Sequence, residues 1–230
     1  MEEKLRPGVF SSYSAGGQPG GWGRRLAGLI VSGVTAPGVP VWVATGAEAA
    51  KVLAAPEEKA ALAACELLLA TGAGKVWLCP VAESGWQAAF DLAGAEAELD
   101  TLLCDCQGEA EARAFAAMLT NAAADRRERV GVIASAEDKA ALALAAAVNC
   151  ERVMIAAGSG IYQGCDAPLC LAAAVAGKLL GRSAPDESLS AAVLEELEAV
   201  SPTRTEPEIE ALLRGGVVPA EWVGNRAECI

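Results

Sequence analysis

The sequence is 230 residues long, 53% apolar and strongly acidic, with 18 basic and 30 acidic residues and a net charge of −12. A chain of this length buries about 70 to 75% of its unfolded surface without metals or disulfides. The acidic balance argues against nucleic acid or anionic membranes as partners, and no apolar run reaches the roughly 20 residues that span a bilayer. The densest basic group, Arg126, Arg127 and Arg129, follows a helical run, so we expect it to complement the C-terminal dipole of that helix.

The histidine and cysteine content also restricts the kinds of catalytic and metal sites that the protein can form. No histidine occurs, which removes Ser-His-Asp and Cys-His catalysis and the commonest metal ligand. The eight cysteines lie mostly in apolar runs, form no CxxC motif and follow no signal peptide, so we expect buried, reduced thiols. The sequence therefore predicts a protein without a metal site, a cofactor or a catalytic centre.

The first segment, residues 1–23, is rich in Gly, Pro and Ser and has too little apolar surface to offset the entropy of ordering it. Within it, residues 8–14 (GVFSSYS) include strand formers, and Trp22 is an aromatic of the kind that marks docking contacts. We therefore expect an assembly arm that pairs with another chain, with residues 16–23 as its hinge. The arm residues expected to make contacts are Arg6, Pro7, Gly8, Val9, Phe10, Tyr13 and Trp22.

Residues 26–157 alternate between strand and helix patterns. Strands are predicted at 26–32, 39–45, 76–81, 99–106, 130–134 and 152–157, with helices at 57–70, 85–92, 109–124 and 136–148. Ser135 and Asp138 have spacing that resembles a capping box at the start of the last of these helices. Short strands that are apolar on both faces and alternate with helices are typical of parallel sheets. The predicted fold class is therefore α/β, a mainly parallel sheet with helices on both faces.

The segment after this ladder has weaker patterns. A flexible connection between Gly158 and Gly164 leads to a helix at 167–180, with Asp166 as its N-cap and Pro168 in its first turn. A linker at 181–186 follows. Residues 190–199 fit either a helix or a looser acidic segment.

The last part of the chain is more clearly specified. Thr205 and Glu208 form a T-x-x-E capping box for a helix that Gly215 terminates. A strand, a turn at Gly224 and Asn225, and a second strand follow. We expect three regions in all: the arm at 1–23, an α/β core domain at 24–182, and a linker, helix and start of a further domain at 183–230.

Two features could support an enzyme or a nucleotide-binding domain. Asp105 follows a predicted parallel strand, at the edge where open α/β sheets bind ligands. The glycines between Gly158 and Gly164 lie between a strand and a helix, although their spacing is not that of a dinucleotide fingerprint. A third candidate, TGAGK at residues 71–75, lacks the Walker A spacing and runs from helix to strand, so it is interpreted as a helix stop.

Several segments together resemble contractile phage tail sheath proteins of prophages in Gram-positive bacteria. They are RPGVFSSY at residues 6–13, the strand-helix ladder, LAAAVAG at 171–177 and TEPEIEALLRGGV at 205–217. The resemblance covers nearly the whole chain and depends on the order of these segments. It implies a structural protein whose core is similar to subtilisin without the catalytic residues.

The resemblance further implies partners and a location. Sheath subunits form stacked six-fold rings around a tail tube, attach to baseplate components, and exchange terminal arms by β-augmentation. The expected location is the virion tail, after assembly in the bacterial cytoplasm, without membrane insertion. Sheath proteins generally continue beyond the GV element, so we expect a truncated or reduced relative. The alternative is an α/β enzyme or nucleotide-binding domain that uses Asp105 and the loop between Gly158 and Gly164.

Overall fold

The computed structural model describes residues 25–34, 39–81, 85–181 and 189–230. The predicted arm, with Arg6, Pro7, Gly8, Val9, Phe10, Tyr13 and Trp22, lies outside the described residues. Its role is therefore taken up below as a proposal.

The described residues form twelve strands. They are β1 (Leu26–Val31), β2 (Val41–Val43), β3 (Lys75–Pro80), β4 (Thr101–Cys104), β5 (Val130–Ser135), β6 (Val153–Ala157), β7 (Ser159–Tyr162), β8 (Cys165–Ala167), β9 (Val193–Leu194), β10 (Ala199–Ser201), β11 (Val218–Val223) and β12 (Arg226–Cys229).

Nine of the described strands form one sheet in the order β2-β3-β1-β4-β5-β6-β11-β12-β9. The six strands from β3 to β11 are parallel, whereas β2 and β12 run antiparallel to their neighbours. A second sheet has the order β10-β7-β8. The predicted α/β class with a mainly parallel sheet is confirmed, because the predicted strands at 26–32, 76–81, 99–106, 130–134 and 152–157 all correspond to parallel strands.

The described helices are α1 (Gly46–Val52), α2 (Lys59–Ala70), α3 (Gly85–Ala95), α4 (Glu109–Ala124), α5 (Asp138–Val148), α6 (Pro168–Gly181) and α7 (Glu206–Arg214). Helices α1, α2 and α6 bury side chains in the core on one face of the main sheet. Helices α3, α4, α5 and α7 bury side chains in the core on the other face. The helices cover both faces, as predicted from strands that are apolar on each side.

Helix α6 is the most deeply buried helix of the described chain. All side chains of residues 169–176 are buried, and half of them are alanines whose small size permits close approach to α2. Gly177 marks the closest point, since a Cβ there would collide with the side chain of Thr71. The alanine-rich composition thus corresponds to closely packed helices.

The segment from 158 to 167 differs from its prediction. Residues expected to be a flexible connection form the hairpin of β7 and β8, and Asp166 lies within β8, so the prediction of an N-cap is wrong. Pro168 does begin the helix, as expected. The glycine-rich composition misled the prediction because hairpin turns also need residues with positive φ, here Gln163 and Gly164.

Three further differences concern short elements. Residues 190–199 contain β9 and the start of β10, so the possible helix there is wrong. Helix α1 was not anticipated. The capping box of Ser135 and Asp138 is also wrong: Glu137 occupies the N-cap without a side-chain hydrogen bond, and the Asp138 carboxylate binds elsewhere. The division into domains at residue 183 stays a prediction.

Candidate functional site

The direction in which successive strands are added to the main sheet reverses at one point, and a ligand site is expected there. From β1 the chain crosses one face to β3, whereas from β4 it crosses the other face to β5, so the winding reverses between β1 and β4. Open α/β sheets bind ligands beside the carboxyl ends of the strands at such a point. The residues that follow β1 and β4 are Ser32 and Asp105.

Asp105 binds Ser32 at this point. The Ser32 N–H lies 3.0 and 3.2 Å from the two carboxylate oxygens of Asp105, and the Ser32 hydroxyl donates to Oδ2 at 2.9 Å. Burial raises the pKa of the Asp105 carboxyl, and the hydrogen bonds from Ser32 oppose that rise. The carboxylate therefore joins the ends of two neighbouring strands.

The other carboxylates near Asp105 in sequence do not converge on it. Asp100 lies at the opposite end of β4, where its Oδ2 accepts a hydrogen bond of 2.9 Å from the backbone of Leu26. Glu109 faces Arg113 on α4 at 3.4 Å. Within the part of the chain that the structure describes, no group of three His, Cys, Asp or Glu residues could hold a metal ion.

The glycines between Gly158 and Gly164 are used in packing and turning. A Cβ on Gly158 would collide with the backbone oxygen of Ser201, and one on Gly160 would press on the side chain of Leu197. Gly164 completes the hairpin turn with a φ of 68°. The predicted flexible connection is therefore a closely packed hairpin.

A buried arginine that was not anticipated lies at the same edge of the sheet. Arg204 donates to both carboxylate oxygens of Asp138, with Nη2 2.6 Å from Oδ1 and Nε 3.0 Å from Oδ2. It also donates to the carbonyl of Ala157 at 3.1 Å and to that of Ala220 at 3.5 Å. The sequence signal is modest: Arg204 is the one basic residue between positions 195 and 210.

Other arginines donate to helix-end carbonyls. Arg127 donates to Gly94 at 2.7 Å and Arg129 donates to Ala93 at 2.8 Å, both at the end of α3. The prediction that these arginines complement the preceding helix is therefore wrong, since they complement a neighbouring one. Arg25 and Arg113 make similar bonds to the ends of α6 and α5. These four arginines thus each bind the carboxyl end of a neighbouring helix.

The cysteines match the expectation of reduced thiols. All eight lie in described residues, none of them forms a disulfide there, and all but Cys150 are buried. Burial raises the pKa of the Cys65 thiol to about 12 and that of Cys79 to about 11. These thiols are poor nucleophiles at neutral pH because the thiolate is the reactive form.

Among the described helices, none combines the length and apolar character needed to cross a bilayer.

Comparisons with known proteins identify the fold. No family model and no curated protein matches the sequence. Among solved structures, the helical sheath of the anti-feeding prophage in its contracted state is 17% identical, with a TM-score of 0.64 over 97% of this chain. The sheath tail protein of Desulfitobacterium hafniense is 15% identical, with a TM-score of 0.67 over 96% of the chain. That of Listeria innocua is 11% identical, with a TM-score of 0.68 over 92% of the chain.

The chain is shorter than these neighbours. It spans 66% of the anti-feeding prophage sheath subunit, 74% of the Desulfitobacterium hafniense protein and 69% of the Listeria innocua protein. At 11 to 17% identity the likeness concerns the fold. The chain therefore has the fold of tail sheath proteins.

Proposed function

We propose that this chain is a non-catalytic structural subunit of a contractile tail sheath. The observation that carries the proposal is the sheath fold, which extends over at least 92% of the chain in three separate structures. The expected partners are copies of the same chain, a tail tube protein and baseplate components. The expected location is the virion tail, with assembly in the bacterial cytoplasm.

The carboxyl edge of the sheet agrees with a role that is not catalytic. Asp105 is bound by Ser32, and Asp138 is bound by Arg204, so both carboxylates have protein partners. A general base or nucleophile needs a substrate within hydrogen-bond reach and a group that activates it. Among the described residues, the side chain that contacts the Asp105 carboxylate is that of Ser32, which is not a base that could activate it.

Strand exchange by residues 1–23 is the proposed mode of assembly. Residues 1–23 contain two basic and two acidic residues, whereas the chain as a whole has a net charge of −12. An arm without net negative charge is not repelled by an acidic neighbour, and in an extended arm the strand formers Val9 and Tyr13 share one face while Phe10 lies on the other, as β-augmentation requires. The edge strand β2 shows that the described sheet still has an outer edge at which a strand could add.

The test compares the full chain with an arm variant. Negative-stain electron microscopy of concentrated protein should show rings, tubes or linked oligomers. The triple substitution Val9→Ser, Phe10→Ser and Tyr13→Ser keeps the arm length and should abolish strand exchange without changing the thermal stability of the body. A matched control replaces Ser11, Ser12 and Ser14 by Thr, which keeps the strand propensity.

Two outcomes would contradict the proposal. Identical assemblies from the arm variant would exclude strand exchange by these residues. A protein that stays monomeric at all concentrations, and is stabilised by a nucleotide with magnesium in a thermal-shift screen, would favour the enzyme or nucleotide-binding alternative.

A further inference from the structure

Two cysteines meet where β8 leads into α6. Cys165 is the first residue of β8, and Cys170 lies in the first turn of α6. The Cys170 Sγ is 3.8 Å from the carbonyl oxygen of Cys165, and the two thiols hydrogen-bond to each other. The short connection between the two elements therefore places these thiols side by side.

The elements on both sides hold the pair in this position. Cys165 lies opposite Tyr162 in the β7–β8 hairpin, and Cys170 belongs to the buried part of α6. Both cysteines are members of the core cluster that also contains buried side chains of α2. Two reactive groups that a fold holds together act on each other at a high effective concentration. A disulfide within this pair is therefore favoured over a disulfide with a thiol of another molecule.

The surroundings of the pair decide which thiol an oxidant reaches first. Cys165 exposes 7% of its surface, whereas Cys170 is fully buried. Burial raises the pKa of the Cys170 thiol to about 12, and the positive charge of Lys59 opposes that rise. Lys59 lies beside the hairpin turn, where its Nζ donates to the carbonyl of Gly164 at 3.0 Å. A small oxidant therefore meets Cys165 first, and Cys170 is the partner that reacts with the oxidised sulfur.

We propose that Cys165 and Cys170 form an intramolecular disulfide when the protein meets a peroxide, and that this bond fixes β8 to the start of α6. Hydrogen peroxide oxidises the Cys165 thiol to a sulfenic acid, and one water is released. The Cys170 sulfur then attacks the Cys165 sulfur and the S–O bond breaks. The departing hydroxide takes the Cys170 proton and leaves as a second water. The two thiols lose two electrons in all, which reduce one peroxide.

The bond distinguishes the two environments that the proposed function supplies. Thiols stay reduced in the bacterial cytoplasm, where assembly is proposed, whereas a virion tail outside the cell is not kept reduced. The chain therefore folds and assembles with free thiols and is cross-linked afterwards. A cross-link stabilises a folded chain mainly by restricting its unfolded states. The chemistry of the pair belongs to the single chain, so it does not depend on the proposed assembly.

The unaltered chain tests this proposal without a substitution that could disturb folding. Protein treated with hydrogen peroxide is freed of the oxidant with catalase, unfolded in urea, alkylated and digested with trypsin. Cleavage after Arg152 and Lys178 gives a peptide in which Cys165 and Cys170 are the two cysteines. This peptide should be lighter by two hydrogen atoms and should take up no alkylating reagent. A dithiol reductant should restore both thiols, and the urea midpoint should rise on oxidation and fall back on reduction.

A second pair of cysteines is the matched control. Cys104 and Cys106 also hydrogen-bond to each other, but both are fully buried, and they lie on the separate tryptic peptide 76–113. That peptide should keep its thiols over the time in which Cys165 and Cys170 are oxidised. The Cys150→Ser variant lacks the partly exposed thiol that could join two chains, and it should give the same result.

Three outcomes would overturn the proposal. The first is a peptide 153–178 that keeps both free thiols under peroxide. The second is the same peptide with one cysteine oxidised to sulfinic acid and no disulfide, which would show that Cys170 does not reach the Cys165 sulfur. The third is earlier oxidation of Cys104 and Cys106, which would show that access through Cys165 does not decide the reaction. None of these outcomes bears on the sheath role, which electron microscopy of the assemblies tests separately.

Discussion

Arg204 binds Asp138 through two nitrogens, although the two residues are separated by 66 positions in the chain. The Arg204 side chain is 2% exposed and that of Asp138 is 33% exposed. Through the carbonyls of Ala157 and Ala220, the same guanidinium also joins β6 to β11. This one side chain therefore fixes the C-terminal segment to the body of the sheet.

Replacing Arg204 by methionine should lower the free energy of unfolding by about 3 kcal/mol, because it removes a charged donor from one partly buried carboxylate and two carbonyls. Lysine should recover less than half of this loss, since one ammonium cannot reproduce the planar arrangement. Urea unfolding of both variants measures the effect. Arg214→Met is the control, because Arg214 pairs with Glu210 at the surface and should change stability by less than about 1 kcal/mol. Equal losses from the two methionine variants would contradict the assigned role.

Gly177→Ala should destabilise the protein although alanine favours helices. The added Cβ collides with Thr71 and costs about 2 to 3 kcal/mol, whereas the gain in helix propensity is about 1 kcal/mol. The expected net loss is about 1 to 2 kcal/mol, measured by urea or thermal unfolding. The double variant with Thr71→Gly should recover part of this loss, because it removes the atoms that the new Cβ meets. A stabilised single variant would show that α2 and α6 are not in close contact here.

The parts of the fold that were predicted correctly depend on local sequence. Helix α4 begins and ends where its pattern predicts, and the capping box at Thr205 forms with Glu208 as expected. The hydrophobic period and the capping residues of these elements lie within one or two turns of the chain. Such signals are readable without knowledge of the tertiary structure.

The parts that were missed depend on distant partners. Strand β10 pairs with β7, about 40 residues earlier, and β9 pairs with β12, about 30 residues later. These strands have two and three residues and flank the acidic, helix-like run EELE at 195–198, so only the pairing makes them strands. The role of Arg204 is likewise set by groups in β6, α5 and β11. Sequence patterns alone do not bring these together.

The Asp105→Asn variant should change how stability depends on pH. Burial raises the folded-state pKa of Asp105, so between its ordinary pKa and the raised pKa the folded chain binds more protons than the unfolded chain. Stability from this residue therefore falls as the pH rises through that window. The asparagine side chain does not titrate, so the variant does not lose stability in this window. The free energy of unfolding of the variant minus that of the unaltered protein should therefore be larger at neutral pH than in acid. Urea unfolding midpoints from acid to neutral pH measure this difference in stability, and Asp100→Asn is the control. A difference that does not change with pH would contradict the prediction.

Glu208 should produce a pH dependence of the opposite sign. The backbone N–H and the hydroxyl of Thr205 hold the pKa of the Glu208 carboxyl below its usual value. Its stabilising contribution is therefore present above the ordinary pKa and is lost as the pH falls through the lowered pKa. Glu208→Gln should remove this acid-sensitive contribution to stability. The helical circular dichroism signal during an acid titration measures the effect. Glu206→Gln, on the same turn but outside the capping box, is the control and should keep the acid-sensitive part that Glu208 contributes.

Cys150 should be the fastest of the eight thiols to react in the native protein. It is partly exposed and contacts the hydroxyl of Thr120 at 3.9 Å, whereas the other seven cysteines are buried. Burial raises the thiol pKa of Cys170 to about 12. Buried thiols therefore react slowly, because the reagent reaches them poorly and little of the reactive thiolate is present. An aromatic disulfide reagent at mildly alkaline pH should therefore modify about one thiol per chain rapidly and all of them after unfolding in urea. The Cys150→Ser variant should lose the rapid phase, and its persistence in that variant would show that a second thiol is open to solvent.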